Sequence, residues 1–186
     1  MPGQAPAVDA WSGCAFWRHL MLRKRNPWIL AAGLLGLSIG ASAETIVRHP
    51  FPDSHFPIAA SVEVPAGTAI VYVSGTIPPV IDPAAPKDSL AAYGDTRTQT
   101  IGILRAIEKQ LQAVHLSMAD VVKMQVFLVG DSAHGGRMDY AGFTAGYKEF
   151  FGTAAQPNLP ARSTFQVAGL SNPGYLLEIE VTAARP

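Results

Sequence analysis

Residues 95–115 carry Ile101, Leu104, Ile107, Leu111 and Val114 at three- and four-residue spacing, which puts them on one face of a helix capped by Asp95 or Thr96. A helix that is apolar on one side must be buried against a second layer, and this constrains the fold more than any other feature of the chain. The neighbouring segments say what that layer is. Residues 121–129 alternate, with Val122, Met124, Val126 and Leu128 on one face and Lys123 and Gln125 on the other, as in a strand with one buried side. Residues 69–73 form a continuous apolar, β-rich run ending at Ser74-Gly75, the pattern of a strand buried on both faces. A second helix is expected over residues 138–151, where Tyr140, Phe143, Tyr147 and Phe151 recur at helical spacing. Residues 161–167 and 175–182 read as two closing strands joined through the turn signal Asn172-Pro173-Gly174, a terminal hairpin. A short edge strand over residues 44–48 is expected to break at His49-Pro50-Phe51-Pro52, and the proline-rich residues 76–92 read as a loop. The layout implies an α/β (α+β) fold, a mixed sheet with two helices packed on one face.

The amino terminus has a different character. Arg23, Lys24 and Arg25 precede a short apolar run, Trp28 to Ile39, and Ala41-Ser42-Ala43 is a small-residue cleavage pattern. This reads as a signal peptide, with Met21 as the true start, residues 1–20 as a leader, and cleavage after Ala43. The apolar run falls short of the ~20 residues a membrane-spanning helix needs. Residues 44–186 are then a single domain that is periplasmic or secreted and free of the membrane. Cleavage removes Arg18, Arg23, Lys24 and Arg25 with Asp9, leaving ten basic and thirteen acidic residues and a formal net charge of −3. Such a balance argues against a nucleic-acid partner, which requires a basic face. Cys14, the only cysteine, also departs, so the domain has no thiol nucleophile and no disulfide.

Two groups of residues could carry chemistry. Arg162 follows Pro160-Ala161 at the start of a strand, where a guanidinium either pairs with an acid at the sheet edge or holds a carboxylate through two parallel hydrogen bonds. Glu178 and Glu180 leave one face of the last strand, opposite Leu177, Ile179 and Val181. That face is either solvated or covered by another subunit, and the strand register decides whether Arg162 shares it. Ser74 has no nearby histidine or nucleophile-elbow motif, so a catalytic triad is rejected. His49, His55, His115 and His134 lack metal-ligand spacing, and Gly135-Gly136 lacks a phosphate-loop pattern, so neither a metal nor a cofactor is expected.

Val73-Ser74-Gly75 before a proline-rich loop, Val122 to Val126, Tyr147 with Phe150-Phe151, and above all Pro160-Ala161-Arg162-Ser163 followed by Leu177-Glu178-Ile179-Glu180 resemble the Rid (YjgF, reactive intermediate deaminase) family. The similarity runs over roughly residues 46–185. It implies a chorismate-mutase-like fold, a homotrimer with clefts between subunits, and hydrolysis of small enamines or imines to 2-keto acids and ammonia. By position, Arg162 would clamp the substrate carboxylate and Glu178 would hold the attacking water. Ser74, Gly75, Thr144 and Thr164 would line the cleft. Phe56-Pro57-Ile58 stands where the family carries Gly-Pro-Tyr, Thr144 where it often carries asparagine, and Thr164 where it commonly carries cysteine. The expected activity is therefore that of an exported imine or enamine deaminase. The alternative is a non-catalytic trimeric module that binds small carboxylates or a periplasmic partner.

Overall fold

The computed structural model describes residues 45–186; the signal-peptide expectation and the start at Met21 lie outside the described residues. Strands β1 (Val47–Pro50), β2 (Ala59–Glu63) and β3 (Ile70–Thr76) come first, followed by helix α1 (Thr96–Ala113), strand β4 (Val121–Val129), helix α2 (Tyr140–Tyr147) and strands β5 (Ala161–Val167) and β6 (Leu177–Ala184). They build one six-stranded mixed sheet in the order β1-β2-β5-β4-β6-β3. Both helices pack on one face, as expected. Between them and the sheet lie Ile103, Leu104, Ile107 and Leu111 of α1, Phe143 and Tyr147 of α2, Met124, Val126 and Leu128 of β4, and Leu177, Ile179 and Val181 of β6.

Helix α1 starts where the Asp95 carboxylate accepts the backbone N–H of Thr98, an N-cap that also holds that carboxyl below its usual pKa. Its buried stripe is Thr100, Ile103, Leu104, Ile107 and Leu111; Ile101 is only partly buried and Val114 is exposed. Helix α2 is eight residues long, shorter than the expected 138–151, because residues 148–150 leave it as a turn. The two helices approach closely at Gly146, where a Cβ would lie 2.9 Å from Thr100 Cβ and 3.1 Å from the Arg97 carbonyl oxygen.

Three expectations require correction. The closing strands do not form a hairpin. β5 pairs parallel with β4 and β6 pairs antiparallel with the other side of β4, so β4 separates them. A strand–helix–strand crossover returns its second strand parallel to the first, and here it takes the position on the far side from β6. The run at residues 69–73 is not buried on both faces: it lies in edge strand β3, with Tyr72 80% exposed on the face away from the helices. The first strand runs on through Pro50, with a register shift between His49 and Pro50, and pairs with β2, which the sequence reading missed. A proline is tolerated at an edge because it needs no ladder hydrogen bond there. β2 is five residues with two alanines, and it is defined by its partners rather than by its own apolar pattern.

A buried amide ties the loops around the sheet. Gln99 on α1 donates to the carbonyls of Gly94 (3.0 Å) and Gly174 (2.9 Å) and accepts from the backbone N–H of Leu176 (2.8 Å). One side chain thus fixes the end of the proline-rich loop and the entry into β6. Gln99→Leu keeps the volume but leaves these buried groups without partners. It should cost about 2 kcal/mol or more, read as a lower urea midpoint at unchanged m-value.

Candidate functional site

The β4–β5 register decides where Arg162 points. Met124, on the core face of β4, pairs with Arg162, and Val126 pairs with Thr164. Directly paired residues share a sheet face, so Arg162 and Thr164 lie on the helix side. There the guanidinium meets aromatic rings. Its central carbon is 4.3 Å from the ring centroid of Tyr147, 4.9 Å from Phe143 and 5.5 Å from Phe56, all within cation–π range. Helix periodicity aligns Tyr140, Phe143, Thr144 and Tyr147 along the sheet-facing side of α2.

Hydrogen bonds fix this cage. The buried Tyr147 hydroxyl donates to the Pro57 carbonyl at 2.8 Å, which anchors the 56–58 segment and carries Phe56 to the guanidinium. Burial raises the Tyr147 pKa well above the usual tyrosine value against the opposing charge of Arg162, so the hydroxyl keeps its proton. Phe56 stacks on Tyr140 with the rings 8° from parallel and 6.4 Å apart. Asp139 caps α2 by accepting from the Gly142 N–H at 2.8 Å, and this sets where Tyr140 begins the helix. Nη2 of Arg162 donates to the Tyr140 hydroxyl at 3.1 Å. Nη1 of Arg162 and Oγ1 of Thr144 are shielded from solvent and have no partner. Among the described residues no carboxylate pairs with Arg162. The sheet-edge ion pair considered from the sequence is therefore not what holds this arginine.

The second group lies on the other face. Glu178 pairs with Phe127 and Glu180 with Gln125, opposite to the residues of the core. Ser74 and Gly75 occupy a β-bulge in β3: between the pairs Val73–Val181 and Thr76–Ile179, these two residues lie opposite the single residue Glu180 of β6. The Glu178 side chain lies across Gly75, where a Cβ would overlap its Oε1. Ser74 lines a shallow cleft of about 290 Å³ with Tyr72, Lys123, Gln125 and Glu180. Beside Glu178, the rings of Phe127 and Phe165 stack 6.1 Å apart on the same open face. A separate cleft of about 490 Å³ beside Arg48, Asp120 and Asn158 includes none of the residues singled out from the sequence. Among the described residues no group of three or more histidine, cysteine, aspartate or glutamate side chains is placed to hold a metal ion.

The structure thus brings Arg162 together with Tyr140, Phe143 and Tyr147 of α2, the helix that also carries Thr144, and Glu178 together with Gly75, on opposite faces of the sheet. One small molecule cannot touch Arg162 and Glu178 of the same protomer. Tyr140 was absent from the sequence-derived site, although its helical spacing from Thr144 and Tyr147 was a usable signal once Thr144 had been singled out.

This mixed sheet with two helices on one side is the YjgF-type fold. It is shared with the Rid-family protein YyfB of Yersinia pestis, at a TM-score of 0.57 and 20% identity over 76% of this chain and 98% of that one. Residues 55–185 match the family model described as Endoribonuclease L-PSP, and the chain belongs to this family of Rid (YjgF) proteins. A RutC family protein of Haemophilus influenzae is 34% identical over 116 residues, covering 62% of this chain and 79% of the relative. The crystal structure of E. coli TdcF with bound serine is similar at a TM-score of 0.50 and 29% identity, over 77% of this chain and 99% of that one.

Gly75→Ala tests the contact beneath Glu178. The overlap involves the end of a flexible side chain, so stability should stay within about 1 kcal/mol of the wild type, measured by chemical denaturation. A crystal structure of the variant should show the Glu178 carboxylate displaced; an unmoved carboxylate would contradict the contact.

Proposed function

We propose that this protein is an exported hydrolase of small imino acids and their enamine tautomers, releasing a 2-keto acid and ammonia. The observation that carries this reading is the Arg162 guanidinium, set among aromatic rings with Nη1 shielded from solvent and unpartnered. A fixed positive charge without an internal counter-ion suits an anionic ligand, and a guanidinium edge matches a carboxylate. E. coli TdcF was solved with bound serine, a molecule with an α-carboxylate like that of an imino acid, which supports the same reading. Residues 21–43 are the basis for export.

In this reading the chain acts as a homotrimer, and the face bearing Glu178 closes on the Arg162 side of a neighbouring copy. Arg162 holds the substrate carboxylate, with Thr144 and Thr164 beside it. Ser74 and Gly75 line the opposite wall, and Glu178 of the partner subunit orients a water molecule at the imine carbon. The water oxygen bonds to that carbon while the C=N π electrons move to nitrogen, and Glu178 takes a water proton. Return of that proton to nitrogen gives the carbinolamine; its hydroxyl proton then passes to nitrogen, by way of Glu178, as the C–N bond breaks, expelling ammonia and leaving the keto acid. An imine is already electrophilic, so positioning and charge complementarity suffice without a nucleophile or metal.

The test supplies an imino acid freshly generated by an amino-acid oxidase and follows keto-acid release. Wild-type protein should exceed the spontaneous rate. Arg162→Ala should return it to background, and Glu178→Gln should lower kcat by about 100-fold, the scale of a lost general base. A wild-type protein that leaves the spontaneous rate unchanged across several imino acids would refute the assignment.

A further inference from the structure

Two hydrogen-bond donors at the edge of Arg162 have no acceptor. Nη1 of Arg162 is shielded from solvent and unpartnered. The second is the Tyr140 hydroxyl. Its oxygen accepts from Nη2 of Arg162 at 3.1 Å, and a phenol that accepts at oxygen still has its own proton to donate. No protein acceptor for that proton is found among the described residues. The rings of Tyr147 and Phe143 lie 4.3 and 4.9 Å from the guanidinium carbon, so an incoming anion meets the edge of the group rather than its face. Because Nη2 is already engaged with Tyr140, the free edge consists of Nη1 and the neighbouring phenol.

We propose that Tyr140 is a carboxylate-binding residue: its phenol proton is donated to one oxygen of the substrate carboxylate while Nη1 of Arg162 donates to the other. This rests on the reading of Arg162 as the carboxylate anchor. It replaces the simple two-pronged arginine clamp with a mixed arginine–tyrosine clamp, and it identifies a ligand residue outside the set singled out from the sequence. It also gives Tyr140 a role that its ring packing against Phe56 does not require.

Titration calorimetry on the full chain with pyruvate, and with pyruvamide as the uncharged control, separates the possibilities. Tyr140→Phe keeps the ring and should weaken pyruvate binding about tenfold or more, the scale of one hydrogen bond to a charged group, with pyruvamide unaffected. Replacing Tyr140 with 3-fluorotyrosine, at a pH that keeps the phenol protonated, makes the hydroxyl a stronger donor and a weaker acceptor. Direct donation predicts tighter pyruvate binding, whereas a residue that merely orients Arg162 by accepting from it predicts weaker binding. Unchanged affinity in Tyr140→Phe, or weaker binding with the fluorinated residue, overturns the proposal while Arg162→Ala still abolishes binding. If wild-type protein and Arg162→Ala both fail to bind pyruvate, the reading of Arg162 falls, and the proposal falls with it.

Discussion

The parallel pairing of β4 with β5, in the register that sets Arg162 beside Met124, is the constraint on which the rest of the molecule turns. A slip of one residue would move Arg162 to the open face and put Ser163 beneath the helix. The register is held because β4 also pairs with β6, where its core residues meet Ile179 and Val181. A slip there would expose a row of Met, Val and Leu side chains, each contributing about 1.5–3 kcal/mol through burial. The hydrophobic layer therefore selects the face on which the only charged residue of β5 emerges.

An arginine on that face is costly, because a partly buried charge without a counter-ion loses some of its hydration. The surrounding groups offset part of the loss. Each aromatic contact contributes roughly 0.5–2 kcal/mol in cation–π attraction, and the Tyr140 hydroxyl satisfies one end of the guanidinium. The unpartnered Nη1 remains uncompensated. A buried donor left unpaired by the protein is the group that the proposed carboxylate ligand would satisfy. Tyr147 joins the two sides of the cage: its ring lies against the guanidinium and its hydroxyl holds the Pro57 carbonyl, so the helix and the 56–58 segment are set together.

The open sheet face has a different construction. A bulge in β3 and the absence of a side chain at Gly75 let Glu178 lie flat across the neighbouring strand. Around it are Phe127 and Phe165, with the exposed Tyr72 on the same face. The two halves of the candidate site therefore sit on surfaces that only a second copy of the chain could bring together. In the trimeric reading, assembly would complete the chemistry as well as cover apolar surface.

Much of this was legible along the chain. The Asp95 cap, the alternation of residues 121–129 and the assignment of Glu178 and Glu180 to the face away from Ile179 all follow from local periodicity, which depends only on neighbouring residues. Residue chemistry singled out Arg162, and the resemblance to the Rid family singled out Glu178 from its neighbour Glu180. Local periodicity could not say that β5 leaves its chain neighbour β6 to pair with β4, because strand order is set by crossover geometry and by burial of the whole helix layer. It missed β2, whose short alanine-containing segment is a strand because β1 and β5 lie on either side of it. Nor could it place Tyr140 at the arginine, since the two are brought together by packing across 22 positions of sequence. The sequence by itself determined which residues could do chemistry and which faces of β4 and β6 were apolar. Tertiary structure decided which side of the sheet each reached, because a side chain's face depends on register and register is a property of the assembled sheet.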